Sequence, residues 1–140
     1  MNLITGSILD ITTGTVLHQV NAIGTTGGLA GALRRKWPSA FIPYFDACAK
    51  GGCQGLFCPG RATPSLWIGH VFGQLHPGPN TDMRWVREAL QRAGEFMPDK
   101  PIYAPWHMGC GLGGGNWAEY LAALVHAFPN IIIVQREGDK

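Results

Sequence analysis

Short apolar runs and amphipathic stretches alternate along this whole chain of 140 residues. Residues 2–5, 16–21, 66–72, 101–106 and 131–135 are rich in aliphatic and aromatic side chains and bounded by Gly, Pro or Asn, as buried strands are. Between them lie segments of helical spacing. In 27–37, Leu29, Ala30, Ala32, Leu33 and Trp37 recur at near-helical intervals until Pro38 stops the run. Ser39 is placed to cap a second helix through Ala49, with Pro43 tolerated in its first turn. Thr81 or Asp82 caps a third helix to about Met97, carrying Trp85, Ala89, Leu90 and Ala93 on one face, and 117–128 read as a fourth. The stretch 51–64, rich in Gly, Cys and Pro, reads as loop plus a short strand. Strands separated by helices imply a mostly parallel sheet, because parallel neighbours need crossovers and the crossover helices cover both faces. The expected fold class is α/β, in one domain spanning 1–140.

Composition narrows the function classes. An apolar share of 46% provides a core and argues against disorder. A net charge of +2 is too small to mark a nucleic-acid surface, and the Arg34–Arg35–Lys36 cluster suits a solvated helix C-terminus. No apolar run reaches the ~18 residues of a membrane span, and the first residues lack the layout of a signal peptide. A soluble, cytoplasmic protein with no membrane partner is expected, as a monomer. Cys48, Cys53 and Cys58 are spaced C-x4-C-x4-C without the second tight couple of a structural zinc site, so neither metal nor cofactor is expected. Cys110 is read as a small buried thiol.

Two glycine-rich loops stand where ligands bind in such sheets, between a strand's carboxyl end and a helix N-terminus. AIGTTGG (22–28) follows the second strand, and GCGLGGGNW (109–117), with five glycines, follows the strand 101–106. Together they offer bare backbone N–H groups and two helix dipoles to an anion, most simply a diphosphate. Neither loop fits the dinucleotide fingerprint, and the second lacks the Lys-Ser/Thr ending of a nucleotide-triphosphatase loop. Glycines that serve close packing alone remain the competing explanation.

The paired junctions resemble those of the macrodomain family, which binds ADP-ribose. The matching pieces are TGSIL (5–9), VNAIGTTGGLAGAL (20–33) and PWHMGCGLGGGNW (105–117), in the family's order and across nearly the whole chain. The form of the last piece resembles the branch holding terminal ADP-ribose protein glycohydrolases and the antitoxins that remove ADP-ribose from DNA bases. The resemblance implies a three-layer α/β/α sandwich with a mostly parallel central sheet and a cleft over its strand ends. It implies a diphosphate cradle built from Thr26, Gly27, Gly28, Leu29 and Ala30 and from Gly109, Cys110, Gly111, Leu112, Gly113 and Gly114, with Trp117 flanking the cleft or packed beneath it. Side chains there would obstruct the pyrophosphate. Adenine would be read by Ser7, which stands where the family usually has an acidic residue, and by the backbone of Ile8; Asp10 lies too far along to be relied on.

The catalytic positions depart from the family. Gln74 stands at the lysine position and Gly113 at the aspartate position of the branch, and a glutamine cannot form a Schiff base with an opened ribose. The other hydrolase branch uses Asn-Ala-Ala-Asn where this chain has Asn21-Ala22-Ile23-Gly24. Near the distal ribose there remain Asn21, Thr25, Gln74, His107 and His76. Asn21 is expected to orient a hydroxyl or a water unless it merely caps the strand. His107 is a candidate general acid or base unless it is structural. Three functions follow from the resemblance: non-covalent hydrolysis of an ADP-ribosyl linkage on protein, nucleic acid or a small molecule; hydrolysis of ADP-ribose 1″-phosphate; or a module that binds ADP-ribose or a related signalling nucleotide without turnover. Nucleic acid enters only as a modified substrate.

Overall fold

The computed structural model describes residues 1–97 and 101–139. Six strands form one sheet: β1 (Asn2–Thr5), β2 (Gly14–Val20), β3 (Phe57–Thr63), β4 (Leu66–Phe72), β5 (Ile102–Pro105) and β6 (Ile132–Gln135). Their spatial order is β1-β6-β5-β2-β4-β3, and every pairing is parallel except β3 with β4. Helices α1 (Gly28–Lys36), α2 (Ile42–Lys50), α3 (Met83–Phe96) and α4 (Trp117–Ala127) complete the three layers.

The strand period of two sorts side chains between the faces. On one side, Leu17 and Val71 meet Val86, Leu90, Tyr120 and Leu124 of α3 and α4. On the other, Val16, Val20, Ile68 and Phe72 meet Leu33, Phe41 and Tyr44 of α1, α2 and the turn between them. Each fully buried leucine in these clusters contributes about 2 kcal/mol. The sheet is therefore locked from both sides, and its parallel strands all present their carboxyl ends along one rim.

Local differences from the sequence expectations have physical causes. Ser39 caps nothing: 38–41 form a 3-10 turn, and α2 starts at Ile42 with Pro43 in its first turn. The Ser39 hydroxyl instead donates to the Arg61 carbonyl. On α3, Asp82 is the cap, accepting from the Arg84 amide, and Val86 takes the core position while Trp85 stays half-buried. β3 is a full strand although Pro59 and Gly60 disguise it. An edge strand tolerates the proline, and a Cβ at Gly60 would fall on the Ala40 carbonyl. A short 3-10 turn at Ile8–Asp10, capped by the Ser7 hydroxyl, escaped the periodicity altogether.

Candidate functional site

A cleft of about 700 Å³ runs along the carboxyl-end rim of the sheet. Ser7, Ile8, Val134, Arg136 and Asp139 line it at the β1/β6 end, and Gln74, Pro77 and Gly78 at the β4 end. The two glycine-bearing loops meet over its middle.

The first loop is organised by Asn21. Its Nδ2 donates to the Thr25 carbonyl and hydroxyl at 2.9 and 2.8 Å, and its Oδ1 accepts from the Ile23 and Thr25 amides. The buried Tyr44 hydroxyl, held protonated by its burial, lies 3.0 Å from both oxygens of Asn21. The loop then enters α1 through Gly27, which supplies no side-chain cap. Among the described residues, the amides of Gly28, Leu29 and Ala30 meet no acceptor, as helix N-termini leave them. All three residues line the cleft. Thr26 does not; its hydroxyl accepts from Arg34.

The second loop folds upon itself. Cys110 N donates to His107 O, Gly114 N to Gly111 O and Gly115 N to Gly109 O, while Gly113 O accepts from the Thr81 amide. Most of its glycines serve this packing. Gly109 has φ 72°, and a side chain there would enter the Tyr120 ring; at Gly113 a Cβ would sit 2.6 Å from both Gly109 O and Thr81 Oγ1; at Gly115 it would sit 2.9 Å from Gly109 O. Gly114 has φ 69° and closes on Pro79. Gly111 alone has open space around it. The expectation that the whole run of glycines makes way for a ligand is thus corrected: one of them faces the cleft without any packing demand. The amides of Gly111, Leu112 and Gly113 meet no acceptor among the described residues, and all three residues line the cleft. Leu112, 82% exposed, reaches across it toward Gly28.

Beneath this loop lies a polar network that sequence patterning missed. Gln19 Nε2 donates to Gln74 Oε1 and to Thr81 Oγ1, both at 2.7 Å, and its Oε1 accepts from the Tyr120 hydroxyl at 2.8 Å. Thr81 Oγ1 donates in turn to Gly109 O, and Gln74 Nε2 to the carbonyls of His76 and Gly78. Gln74 therefore clamps the loop after β4 to β2. Both ends of its carboxamide are occupied, so it is structural in this state, as is the saturated side chain of Asn21. The expectations of catalytic roles for these two find no free atom to act with.

His107 is different. It is exposed on the cleft wall, at φ 59°, with its ring stacked on Trp106 at 4.8 Å and edge-on to Trp117 at 5.5 Å. A non-glycine residue in this conformation carries about 1 kcal/mol of strain. Trp117 packs beneath and does not line the cleft. Neither do Gly114 and Cys110; the Cys110 thiol donates to Met108 O and is pushed up to about 11 by burial, so it stays a thiol. Lys36 and Asp10 also lie off the cleft, and the Lys36 ammonium donates to Leu9 O. Cys48, Cys53 and Cys58 are free; burial pushes Cys53 up to about 11 and raises Cys58. No group of three potential metal ligands occurs among the described residues, and no described helix is long and apolar enough to cross a membrane.

The cleft also holds His18, Gln19, Arg136 and Asp139, none of which the sequence reasoning singled out. For the first two a signal existed: polar side chains inside a strand whose neighbours are apolar must be partnered or functional. For Arg136 and Asp139 there was none. They share the cleft with Ser7 because β6 pairs with β1.

No family model and no curated protein matches the sequence. Solved structures do. The macrodomain of Mycobacterium tuberculosis DarG superposes with a TM-score of 0.81 at 22% identity, covering 99% of this chain and 97% of its own. A macrodomain protein from Streptomyces coelicolor gives 0.78 at 19% identity, with 99% of each chain covered. Thermosipho africanus DarTG in complex with ADP-ribose gives 0.76 at 19% identity, covering 99% of this chain and 42% of that one. Likeness at such identities is likeness of architecture, and the architecture is that of the macrodomain fold.

Proposed function

We propose that the cleft binds ADP-ribose, with the diphosphate held between the two loops. The observation that carries this reading is the convergence of unpartnered amides from two chain segments, Gly28 to Ala30 and Gly111 to Gly113, on one cleft. Such amides, one set at the start of α1, favour a doubly charged diphosphate over a single carboxylate. The cleft volume lies within the ~300–1,000 Å³ of small-molecule sites, and a solved neighbour in fold carries ADP-ribose. At the β1/β6 end, the Ser7 hydroxyl, which caps the 3-10 turn, and the Asp139 carboxylate, held by Arg136, keep further lone pairs that would accept from a base amine. Titration calorimetry should give one site, with ADP-ribose tighter than AMP or ribose 5-phosphate because either fragment forfeits part of the cradle. No heat and no thermal shift at millimolar ADP-ribose would refute it.

A second reading, turnover, is favoured by one residue. His107 holds an exposed imidazole on strained backbone at the cleft wall, suited to act as acid or base on an ADP-ribosyl linkage or on a 1″-phosphate. With glutamine at the lysine position, such hydrolysis would be non-covalent. Mass spectrometry after incubation with ADP-ribosylated protein, DNA ADP-ribosylated on thymidine and ADP-ribose 1″-phosphate tests it. Wild-type inertness on all three leaves a binding module.

A further inference from the structure

At the floor of the cleft, β2 and β4 place two buried histidines side by side: His18 is 2% exposed and His70 fully buried, opposite one another in register. Their protonation pattern follows from their partners. His70 Nε2 lies 2.8 Å from the Ala40 carbonyl, which can only accept, so this nitrogen carries the proton. Burial against Phe41 and Tyr44 keeps the rings neutral, lowering His70 to about 4 and His18 well below its ordinary value. The Nδ1 of His70 is then bare and accepts, at 2.7 Å, from His18 Nε2. That donation leaves the Nδ1 of His18 bare as well. It is buried and has no partner, on a residue that lines the cleft.

We infer that His18 is a ligand-reading residue: its Nδ1, fixed as an acceptor by the Ala40–His70 chain, takes an N–H or O–H donor of the bound ligand. An unpaired buried acceptor is destabilising, and a ligand donor would remove that cost on binding. The fixed tautomer makes the position selective. It accepts a donor and leaves a carbonyl or phosphate oxygen at the same place without a hydrogen bond. The inference rests on the ADP-ribose reading, whose candidate donors are the base amino group and the ribose hydroxyls.

The test is ¹⁵N-detected NMR of imidazole-labelled wild-type protein, titrated with ADP-ribose. Expected is an upfield move of the bare His18 Nδ1 resonance, with the His70 signals showing unchanged protonation. In parallel, His18→Leu should lose about 5- to 50-fold in ADP-ribose affinity by calorimetry. An analogue lacking the 6-amino group, or ones lacking single ribose hydroxyls, should fail to move the resonance where they lack the donor, which identifies the source. ADP-ribose binding with an unmoved Nδ1 resonance overturns the inference while sparing the binding reading, whether or not His18→Leu folds. Absence of binding to wild type overturns both.

Discussion

Acidification should destabilise this protein through the buried histidine pair, in a window set by the pair itself. The ordinary imidazole value near 6.5 falls to about 4 for His70, mainly by burial, and one unit is worth about 1.4 kcal/mol. As pH drops below 6.5, the unfolded chain binds a proton that the folded chain refuses. Stability is therefore complete above about 6.5 and declines as pH falls toward 4; below that, both states are protonated and this contribution stops changing. The loss from His70 is about 3 kcal/mol, and His18 acts in the same direction. Against a typical total of ~5–15 kcal/mol this is a large fraction. The physical obstacle is geometric as well as dielectric. A proton on His70 Nδ1 would confront the one that His18 already donates, so the pair would have to reverse its hydrogen bond inside a packed core. Urea unfolding at pH 7, 5.5 and 4 measures the effect, with the double variant His18→Leu/His70→Leu as control. Carboxylates contribute an acid dependence common to both proteins, and the wild type should show the additional ~3 kcal/mol. Parallel pH profiles would refute the reasoning.

Other outcomes are expected from single changes. Gly27→Glu and Gly111→Glu, at positions with open space, should leave the melting temperature within a few degrees while abolishing ADP-ribose binding in calorimetry. Gly28→Glu is a poorer probe, since its φ of 52° adds about 1 kcal/mol of strain. Gly109→Ala should cost about 2 kcal/mol or more in denaturant unfolding, because its Cβ meets the Tyr120 ring and lies 2.8 Å from Gln19 Oε1 at a positive φ. Asn21→Ala should cost about 1–3 kcal/mol by stranding the Thr25 and Ile23 groups it holds; unchanged stability with a hundredfold loss of turnover would instead restore it as a water-positioning residue. Borohydride treatment with ADP-ribose should leave the intact mass unchanged, and a trapped adduct would reveal a nucleophile outside the cleft residues described above.

Much of the fold was legible because strand and helix periods write directly onto a two-faced sheet. Leu66 to Phe72 and Trp117 onward fell within a residue of their observed bounds, since apolar side chains there are buried in the clusters on the two faces of the sheet. What failed did so where tertiary contacts overrode local chemistry. Pro59 and Gly60 look like loop residues until an edge position and a close approach of Ala40 make both acceptable. Ser39 looks like a cap until Pro38 begins a 3-10 turn that consumes it.

The site was half legible for the same reason. Glycine richness marks where backbone lies close to something, and it cannot say whether that something is a ligand or the protein. In the second loop it is largely Tyr120, Thr81, Pro79 and the loop's own carbonyls. The polar residues of β2 carried the complementary signal. Gln19 and His18 point to opposite faces, as neighbours on a strand must, and each anchors one side of the cleft. Gln19 ties α4, the loop after β4 and the second glycine loop into one hydrogen-bonded unit through Tyr120, Gln74 and Thr81. Gln74 is therefore a working part of that unit. Its carbonyl takes one of the two Gln19 amide protons, and its own amide holds the His76 and Gly78 carbonyls. An ammonium at this position could donate to those carbonyls but could not accept from Gln19, leaving a part-buried donor without its partner beneath the loop that shapes the cleft. The glutamine is thus built into the support of the cleft, and replacing it with lysine requires changing Gln19 as well.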